Sequence, residues 1–188
     1  KSGDIYIENG SGQTLFPDPL GYPLNQVLMI LLLSRTKGIM LHACGVDDKG
    51  HGYLFAANSA KGKSTMAGLW SQKGNLVLND DRIIIKEKYG QPWMYGTPWH
   101  GTFRQISSRG LPVQKIFFLE HGKMNKAIPK KGSEALSMLL VCSFAPFWDK
   151  KGMDSTLSLS HLLVSKIPCY ELRFVPDEKI VDFVRNIK

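Results

Sequence analysis

The sequence lacks the features that mark secreted, membrane-spanning or zinc-binding proteins. Its three cysteines, Cys44, Cys142 and Cys169, are odd in number and widely spaced, with no Cys-x-x-Cys pair. Such cysteines argue against a disulfide framework or a zinc site and favour reduced thiols. The longest apolar run, Val27–Leu33, is far too short to cross a bilayer. We therefore predict a cytoplasmic protein without a membrane partner.

The charge pattern gives no sign of a nucleic-acid-binding surface. The formal net charge of +8 favours an anionic ligand, but the lysines are scattered, and only Lys130-Lys131 and Lys150-Lys151 are adjacent. No basic stripe with interleaved aromatic residues occurs, so we predict no nucleic-acid partner. The 188 residues suit a single domain, 1–188. Because the first residue is a lysine, we expect this domain to be part of a longer chain.

Apolar periodicity and turn residues predict alternating strands and helices, as in an α/β protein. Strands are predicted over residues 4–9, 39–46, 52–57, 75–78, 82–88, 93–95, 113–120 and 169–175. Helices are predicted over residues 23–36, 64–73, 133–144, 154–166 and 177–187, with Gly38 and Gly74 ending the first two. The segments 47–51 and 89–91 are typical of hairpin turns.

The segment 57–65, Ala-Asn-Ser-Ala-Lys-Gly-Lys-Ser-Thr, follows a predicted strand, opens a predicted helix and is typical of a phosphate-binding loop. Free amides at a helix N-terminus attract phosphate oxygens, Lys63 adds a cation, and the Ser64 hydroxyl can ligate magnesium. A strict match would have glycine at position 57, where this chain has alanine. The residues predicted to bind the nucleotide phosphates are Asn58, Ser59, Ala60, Lys61, Gly62, Lys63, Ser64 and Thr65.

Two acidic residues, Asp80 and Asp81, follow the next predicted strand. Because a helix joins this strand to the one before the loop, the two strands should be parallel and should end at the same edge of the sheet. Adjacent residues at a strand end point to opposite sides. One aspartate can therefore hold magnesium while the other accepts a proton from an attacking hydroxyl or positions water.

A histidine is predicted to lie beside the same loop. If Val46 pairs with Tyr53 in the preceding hairpin, the antiparallel register places His42 opposite Ala57. A shift of one residue would turn His42 to the other face of the sheet, so this prediction depends on the register.

The segment 96–104, Gly-Thr-Pro-Trp-His-Gly-Thr-Phe-Arg, is typical of an ordered loop. Arg104 can neutralise charge on a transferring phosphate or bind an acidic substrate. Arg109 is a further candidate for a phosphate contact, as is Lys61. His100, beside a tryptophan, is expected to pack or to hydrogen-bond locally.

Taken in order, these motifs resemble the catalytic domain of HPr kinase/phosphorylase, and more closely the shorter HPr-kinase-related proteins of biosynthetic gene clusters. The resemblance lies in the segments 38–46, 57–65 and 78–81, and in Thr97-Pro98-Trp99-His100-Gly101. It spans residues 20–175 and implies the phosphoenolpyruvate-carboxykinase-like P-loop fold. That fold is an α/β architecture with a mixed β-sheet core and flanking helices.

The resemblance also implies ATP and Mg²⁺, with phosphoryl transfer to a hydroxyl of a peptide, a protein or a small metabolite. On this basis Asp80 is the general base and His42 assists on the phosphate side. Lys63 contacts the β- and γ-phosphates, while Ser64 and Asp81 lie on the metal side. The family includes assemblies, so a homo-oligomer is compatible with the resemblance.

The family's usual glycines at positions 57 and 60 are alanines here. Alanine disfavours positive φ, so the loop should be shaped differently or bind nucleotide more weakly. A non-catalytic nucleotide-binding module is therefore the alternative to a kinase. A carboxykinase that phosphorylates an enolate is a third hypothesis, but the sequence shows no clear second metal site. In each case the acceptor would contact the loops 97–109 and 144–155.

Overall fold

The computed structural model describes residues 20–187, so the strand predicted over residues 4–9 lies outside the described residues. Within this range the helices are α1 (Leu24–Arg35), α2 (Lys63–Gln72), α3 (Gly132–Val141), α4 (Lys150–Lys166) and α5 (Lys179–Arg185). The strands are β1 (Gly38–Asp48), β2 (His51–Ala56), β3 (Leu76–Asn79), β4 (Arg82–Lys88), β5 (Gln91–Gly96), β6 (Gly110–His121), β7 (Lys126–Lys130) and β8 (Cys169–Phe174). The predicted mixed α/β architecture with flanking helices is confirmed at this level.

The sheet is mixed and is organised by its two longest strands. β1 pairs antiparallel with β4 through residues 38–42 and with β2 and β3 beyond them. β6 pairs antiparallel with β5 near its start, then parallel with β2 and β8. Because β4 also pairs with β5, strands β1, β4, β5, β6 and β2 form a closed ring of hydrogen-bonded neighbours. β8 and β7 extend the sheet beyond β6.

The crossover that the sequence predicted around the loop is present. β1 lies between β2 and β3 and is antiparallel to both, so β2 and β3 run parallel and end at the same edge. The hairpin register is also confirmed, since Val46 pairs with Tyr53. As a result the amide of Ala57 donates to the carbonyl of His42 at 3.2 Å. The loop, His42 and the aspartates after β3 therefore converge.

Apolar side chains cover both faces of the sheet. One cluster, which includes Leu54, Ile83 and Phe118, packs against α3 and α4 through residues such as Leu139 and Leu163. The other face packs against α2 and α5, and its members include Phe55, Phe117, Trp70, Ile180 and Val184. Since α2 is fixed by fully buried Trp70, its N-terminus is held at a defined position beside the sheet edge.

Besides shifts of a few residues at other bounds, such as the start of β6 at Gly110 and the end of α3 at Val141, the structure differs from the predicted elements in three respects. The strand β7 was not predicted, and α4 begins at Lys150 rather than at residue 154. The residue that ends α1 with positive φ is Lys37, at 53°, while Gly38 already belongs to β1. Among the described helices, none combines the length and apolar character needed to cross a membrane.

Candidate functional site

The segment 57–62 connects β2 to the N-terminus of α2 through two residues with positive φ. Ala60 has φ of 61° and Gly62 has φ of 94°. A Cβ at Gly62 would lie 2.6 Å from Cζ of Phe174, so both the backbone and the neighbouring ring require glycine there. No side chain caps α2 at this end. The first amides of the helix are thus free to meet an anion, which the helix dipole favours.

Lys63 lies under this loop and is 6% exposed. Its Nζ donates to the carbonyl oxygens of Ala57, at 3.0 Å, and of Asn58, at 2.8 Å. Burial lowers the pKa of the Lys63 ammonium, and the negative charge of Asp81 opposes this effect. An ammonium has three hydrogens, so one remains to contact a phosphate oxygen.

Asp80 is 1% exposed, and its carboxylate accepts three hydrogen bonds. Oδ2 accepts from the Ser64 hydroxyl at 2.6 Å and from the Phe103 amide at 3.0 Å. Oδ1 accepts from the Gly101 amide at 2.7 Å. A Cβ at Gly101 would lie 2.8 Å from Asp80 Oδ2, so the glycine permits this close approach. The result is a hydroxyl and a buried carboxylate that are both hard oxygen ligands, at the start of α2.

Asp81 faces a different set of partners. Its Oδ1 lies 3.2 Å from His42 Nε2, and its Oδ2 lies 3.3 Å from Arg82 Nε. The interaction with His42 is the main cause that lowers the pKa of the Asp81 carboxyl; burial opposes it and Arg82 reinforces it. The Arg82 guanidinium lies over the rings of Trp99 and Phe144, 5.3 and 5.5 Å from their centroids. The two aspartates therefore point into separate environments, as their adjacent positions predicted.

Asn79 holds the two aspartates in place. Its side chain is fully buried, and Oδ1 accepts from the amides of Asp81 and Arg82 at 2.6 and 2.8 Å. Its Nδ2 donates to the carbonyls of Thr97, at 2.9 Å, and Trp99, at 2.5 Å. This one amide group thus ties the end of β3 to the loop 97–109 that follows β5.

These groups line a cavity of about 500 Å³. Its walls are His42, Ser59, Ala60, Gly62, Lys63, Ser64, Thr65, Asp80, Asp81, Gly101, Thr102 and His121. Two of the predicted loop residues, Asn58 and Lys61, lie instead beside a separate apolar cleft. The donors and acceptors of the 500 Å³ cavity suit phosphate oxygens together with a hard divalent cation. Within residues 20–187 no cluster of three or more histidine, cysteine or acidic side chains suitable for a metal occurs.

No family model matches the chain. A cytochrome P450 monooxygenase of Aspergillus terreus (strain NIH 2624 / FGSC A1156) is 29% identical over 113 residues. The match covers 58% of this chain and spans only 20% of that protein's length. Among solved structures, the chain is similar to the HPr(Ser) kinase/phosphatase from Coxiella burnetii, with a TM-score of 0.48 and 14% identity. That match covers 78% of this chain and 94% of the other. These similarities assign neither a family nor an activity to the chain.

Some predicted residues do not reach the cavity. Arg104 is exposed and does not line it. Arg109 forms an ion pair with Asp47 at 3.3 Å, near the β1–β2 turn, and does not line the cavity either. His100 is exposed and its Nδ1 contacts the carbonyl of Gly101, which confirms a local role.

One lining residue that the sequence reasoning missed is His121. It ends β6, and its Nε2 lies 3.0 Å from the carbonyl oxygen of Ala60. β6 runs parallel to β2, so the rule that placed the aspartates at this sheet edge also applies to His121. The missing step was the prediction that β6 neighbours β2, which no local pattern gives.

Proposed function

We propose that the chain is an ATP- and Mg²⁺-dependent kinase that phosphorylates a hydroxyl of a peptide, a protein or a small metabolite, on an HPr-kinase-like P-loop core. The observation that carries this proposal is the 2.6 Å contact between the Ser64 hydroxyl and the Asp80 carboxylate at the uncapped N-terminus of α2. Phosphoryl transfer needs positioning and charge neutralisation more than covalent chemistry. Amides, a buried ammonium, a hydroxyl and two carboxylates provide both within one cavity.

In this proposal the triphosphate lies along the start of α2. The amides of Lys63 and Ser64 bind its terminal phosphates, and the Lys63 ammonium adds its remaining hydrogen. Ser64 Oγ and Asp80 hold Mg²⁺, which supplies neutralisation of phosphate charge when bound. This assignment exchanges the aspartate roles implied by the family resemblance. Asp80 already accepts three hydrogen bonds and is almost fully buried, so it suits the metal side better than proton transfer.

Asp81 is then the proton acceptor. Its side chain is 23% exposed and lines the cavity, and its two oxygens lie 3.2 Å from His42 Nε2 and 3.3 Å from Arg82 Nε. The acceptor hydroxyl attacks the γ-phosphorus, a new P–O bond forms, and the bond to the oxygen bridging the β- and γ-phosphates breaks. The hydroxyl proton passes to Asp81 and ADP leaves. A carboxylate with a lowered pKa is sufficient because the proton is lost late in a loose transition state.

Calorimetric titration with ATP and Mg²⁺ tests the phosphate site. Lys63→Ala should weaken binding at least tenfold, because it removes the cation beside the β- and γ-phosphates. The matched control is Lys73→Ala, which removes the same charge just beyond the other end of α2, where Lys73 pairs with Glu178. Equal binding by wild type and Lys63→Ala would contradict the proposal.

The aspartate assignment needs a kinetic test, which the ATPase activity with water as acceptor provides. Asp81→Asn should lower turnover at least a hundredfold and leave ATP affinity within threefold, because the variant cannot accept a proton. Asp80→Asn should instead raise the Mg²⁺ concentration required for half-maximal activity. The reverse outcome would restore Asp80 as the base.

A non-catalytic nucleotide-binding module remains the second candidate. The observation that favours it is that the Lys63 ammonium donates to the carbonyls of Ala57 and Asn58. Two of its three hydrogens are therefore used within the loop and do not act on a transferring phosphate. ATP binding without phosphoryl loss, to water or to any acceptor hydroxyl, would support the module over the kinase.

A further inference from the structure

An apolar cleft of about 240 Å³ lies on the other side of the phosphate loop. Asn58 and Lys61 of the loop form one wall, and the end of β6, from Phe118 to Glu120, forms the floor. The opposite wall is the face of α3 that carries Ser137, Met138 and Val141. Apart from the loop and Glu120, the lining is almost entirely hydrocarbon, unlike that of the 500 Å³ cavity.

The cleft has a charged edge next to its apolar walls. Lys61 Nζ donates to Glu120 Oε2 at 2.6 Å, and the two side chains are 38% and 42% exposed. The other carboxylate oxygen, Oε1, has no hydrogen-bond partner among the described residues. The edge therefore offers an acceptor to a ligand that lies flat between the loop and α3.

Residues of the loop line both cavities: Asn58 and Lys61 the cleft, and Ser59, Ala60 and Gly62 the 500 Å³ cavity. We propose that this cleft binds the purine base of the nucleotide, with an exocyclic amino group of the base donating to Glu120. The inference rests on the proposed function, since it concerns the same nucleotide. An apolar slot with one polar group is the usual way in which a pocket orients a flat heterocycle.

The other large cavities fit this ligand less well. The cavity of about 760 Å³ lies between the N-terminus of α3 and the end of α4, and shares no residue with the loop. The cavity of about 660 Å³ shares Glu120 and Met138 with the cleft and His121 with the 500 Å³ cavity, but charged side chains, Lys123, Lys126, Glu171 and Arg173, form much of its lining. Neither combines contact with the loop and an apolar lining.

The test compares Mg²⁺-bound ATP with Mg²⁺-bound tripolyphosphate, which has the phosphates but no base. Ser137→Phe places a ring at the cleft from an exposed position of α3. Ser158→Phe on α4 is the matched control, because both serines are exposed and donate to the carbonyl four residues earlier at 2.8 Å. Ser137→Phe should weaken ATP binding at least tenfold and change tripolyphosphate binding less than twofold, while Ser158→Phe should change neither.

Each other outcome overturns the inference in a recognisable way. If wild type binds ATP no more tightly than tripolyphosphate, or if Ser137→Phe leaves ATP affinity unchanged, the base is not in the cleft. If Ser137→Phe weakens both ligands equally, the cleft makes no contact specific to the base and the inference is overturned. Absence of binding for both ligands to wild type would remove the proposed function itself.

A second comparison tests the role of Glu120. Inosine triphosphate carries an oxygen where ATP carries the amino group, and this oxygen would face the Glu120 carboxylate. Wild type should prefer ATP at least tenfold, and Glu120→Gln should reduce the preference below threefold because an amide can donate as well as accept. Equal affinity of wild type for the two nucleotides would overturn the assigned contact.

Discussion

Ala60, in the segment 57–62, adopts a backbone conformation that favours glycine. Its φ of 61° lies in the left-handed region, where a Cβ costs roughly 1–2 kcal/mol. Ala60→Gly relieves this strain but adds entropy to the unfolded chain. The free energy of unfolding should therefore increase by a net amount of roughly 0.5–1 kcal/mol. Urea denaturation measures the change.

The control for this substitution is Ala57→Gly. Ala57 is 4% exposed and is not among the residues with positive φ, so glycine there should destabilise the protein. If both glycines shift the unfolding midpoint in the same direction, backbone strain at Ala60 is not the cause.

The contact between His42 and Asp81 should make stability depend on pH in the acid range. The pKa of Asp81 is lowered in the folded protein, so its contribution is present above the unfolded value near 3.9 and is lost as pH falls through the lower folded value. His42→Leu should therefore cost about 1 kcal/mol at pH 6, with the deficit shrinking below pH 4.

Unfolding curves recorded between pH 3 and pH 7 measure this trend. His100→Leu is the comparison, because His100 is exposed and contacts no carboxylate. A deficit of His42→Leu that persists unchanged at pH 3 would show that lost packing, not the charge of Asp81, is responsible.

Much of the site at the scale of residues was predictable because it depends on few long-range pairings. The order of strand, loop, helix and strand brings Lys63, Ser64 and the aspartates together, and the hairpin register adds His42. The partners of Asp80 were not predictable, because they include the Gly101 and Phe103 amides of the loop 97–109. A loop's return path to a strand end leaves no periodic signal in sequence.

At the scale of elements, Asn79 joins two segments that share no strand pairing. Asn79→Ala would remove the acceptor of the Asp81 and Arg82 amides and one donor to each of two loop carbonyls. We expect a loss of about 3 kcal/mol in the free energy of unfolding and a fall in ATPase turnover.

Asn79→Asp separates the two halves of this network. The carboxylate keeps the acceptor for the amides but faces the carbonyls of Thr97 and Trp99 with an oxygen that cannot donate while ionised. The variant should be at least as unstable as Asn79→Ala at pH 7. If Asn79→Asp is as stable as wild type at that pH, the two Nδ2 hydrogen bonds contribute little.

The elements that sequence reasoning missed have identifiable causes. Strand β7 contains Pro129, which is tolerated because β7 lies at the end of the strand order. The start of α4 was placed too late because Gly152 weakens the helical pattern in its first turn. A Cβ at Gly152 would lie 2.8 Å from Pro146 and 3.0 Å from the Ser34 hydroxyl, so tertiary packing selects glycine there.

At the scale of the whole molecule, the last helix is attached to the first hairpin by one arginine. Arg185 Nε and Nη2 each lie 2.9 Å from an oxygen of Asp48, whose side chain is 8% exposed. The guanidinium also lies over Trp70, 5.4 Å from its centroid. Arg185→Met should cost about 2 kcal/mol, because it leaves a buried carboxylate with Asn75 as its remaining partner.

Thermal unfolding of Arg185→Met and Arg173→Met measures this attachment. Arg173 pairs with Glu171 but is 52% exposed, so its loss should change stability by less than about 0.5 kcal/mol. If the two variants lose similar amounts of stability, the buried pair of Arg185 and Asp48 stabilises the protein no more than an exposed ion pair does.

The loop 97–109 is closed at its base by backbone hydrogen bonds. The amide of Ser107 donates to the carbonyl of Leu78 at 2.9 Å, and Tyr95 pairs with Gly110 where the strands resume. The loop can thus be exchanged as a unit without moving either strand, provided that the amides at positions 101 and 103 still reach Asp80. In the proposed kinase, selection for a new acceptor would replace this one segment and leave unaltered the groups that we propose bind ATP.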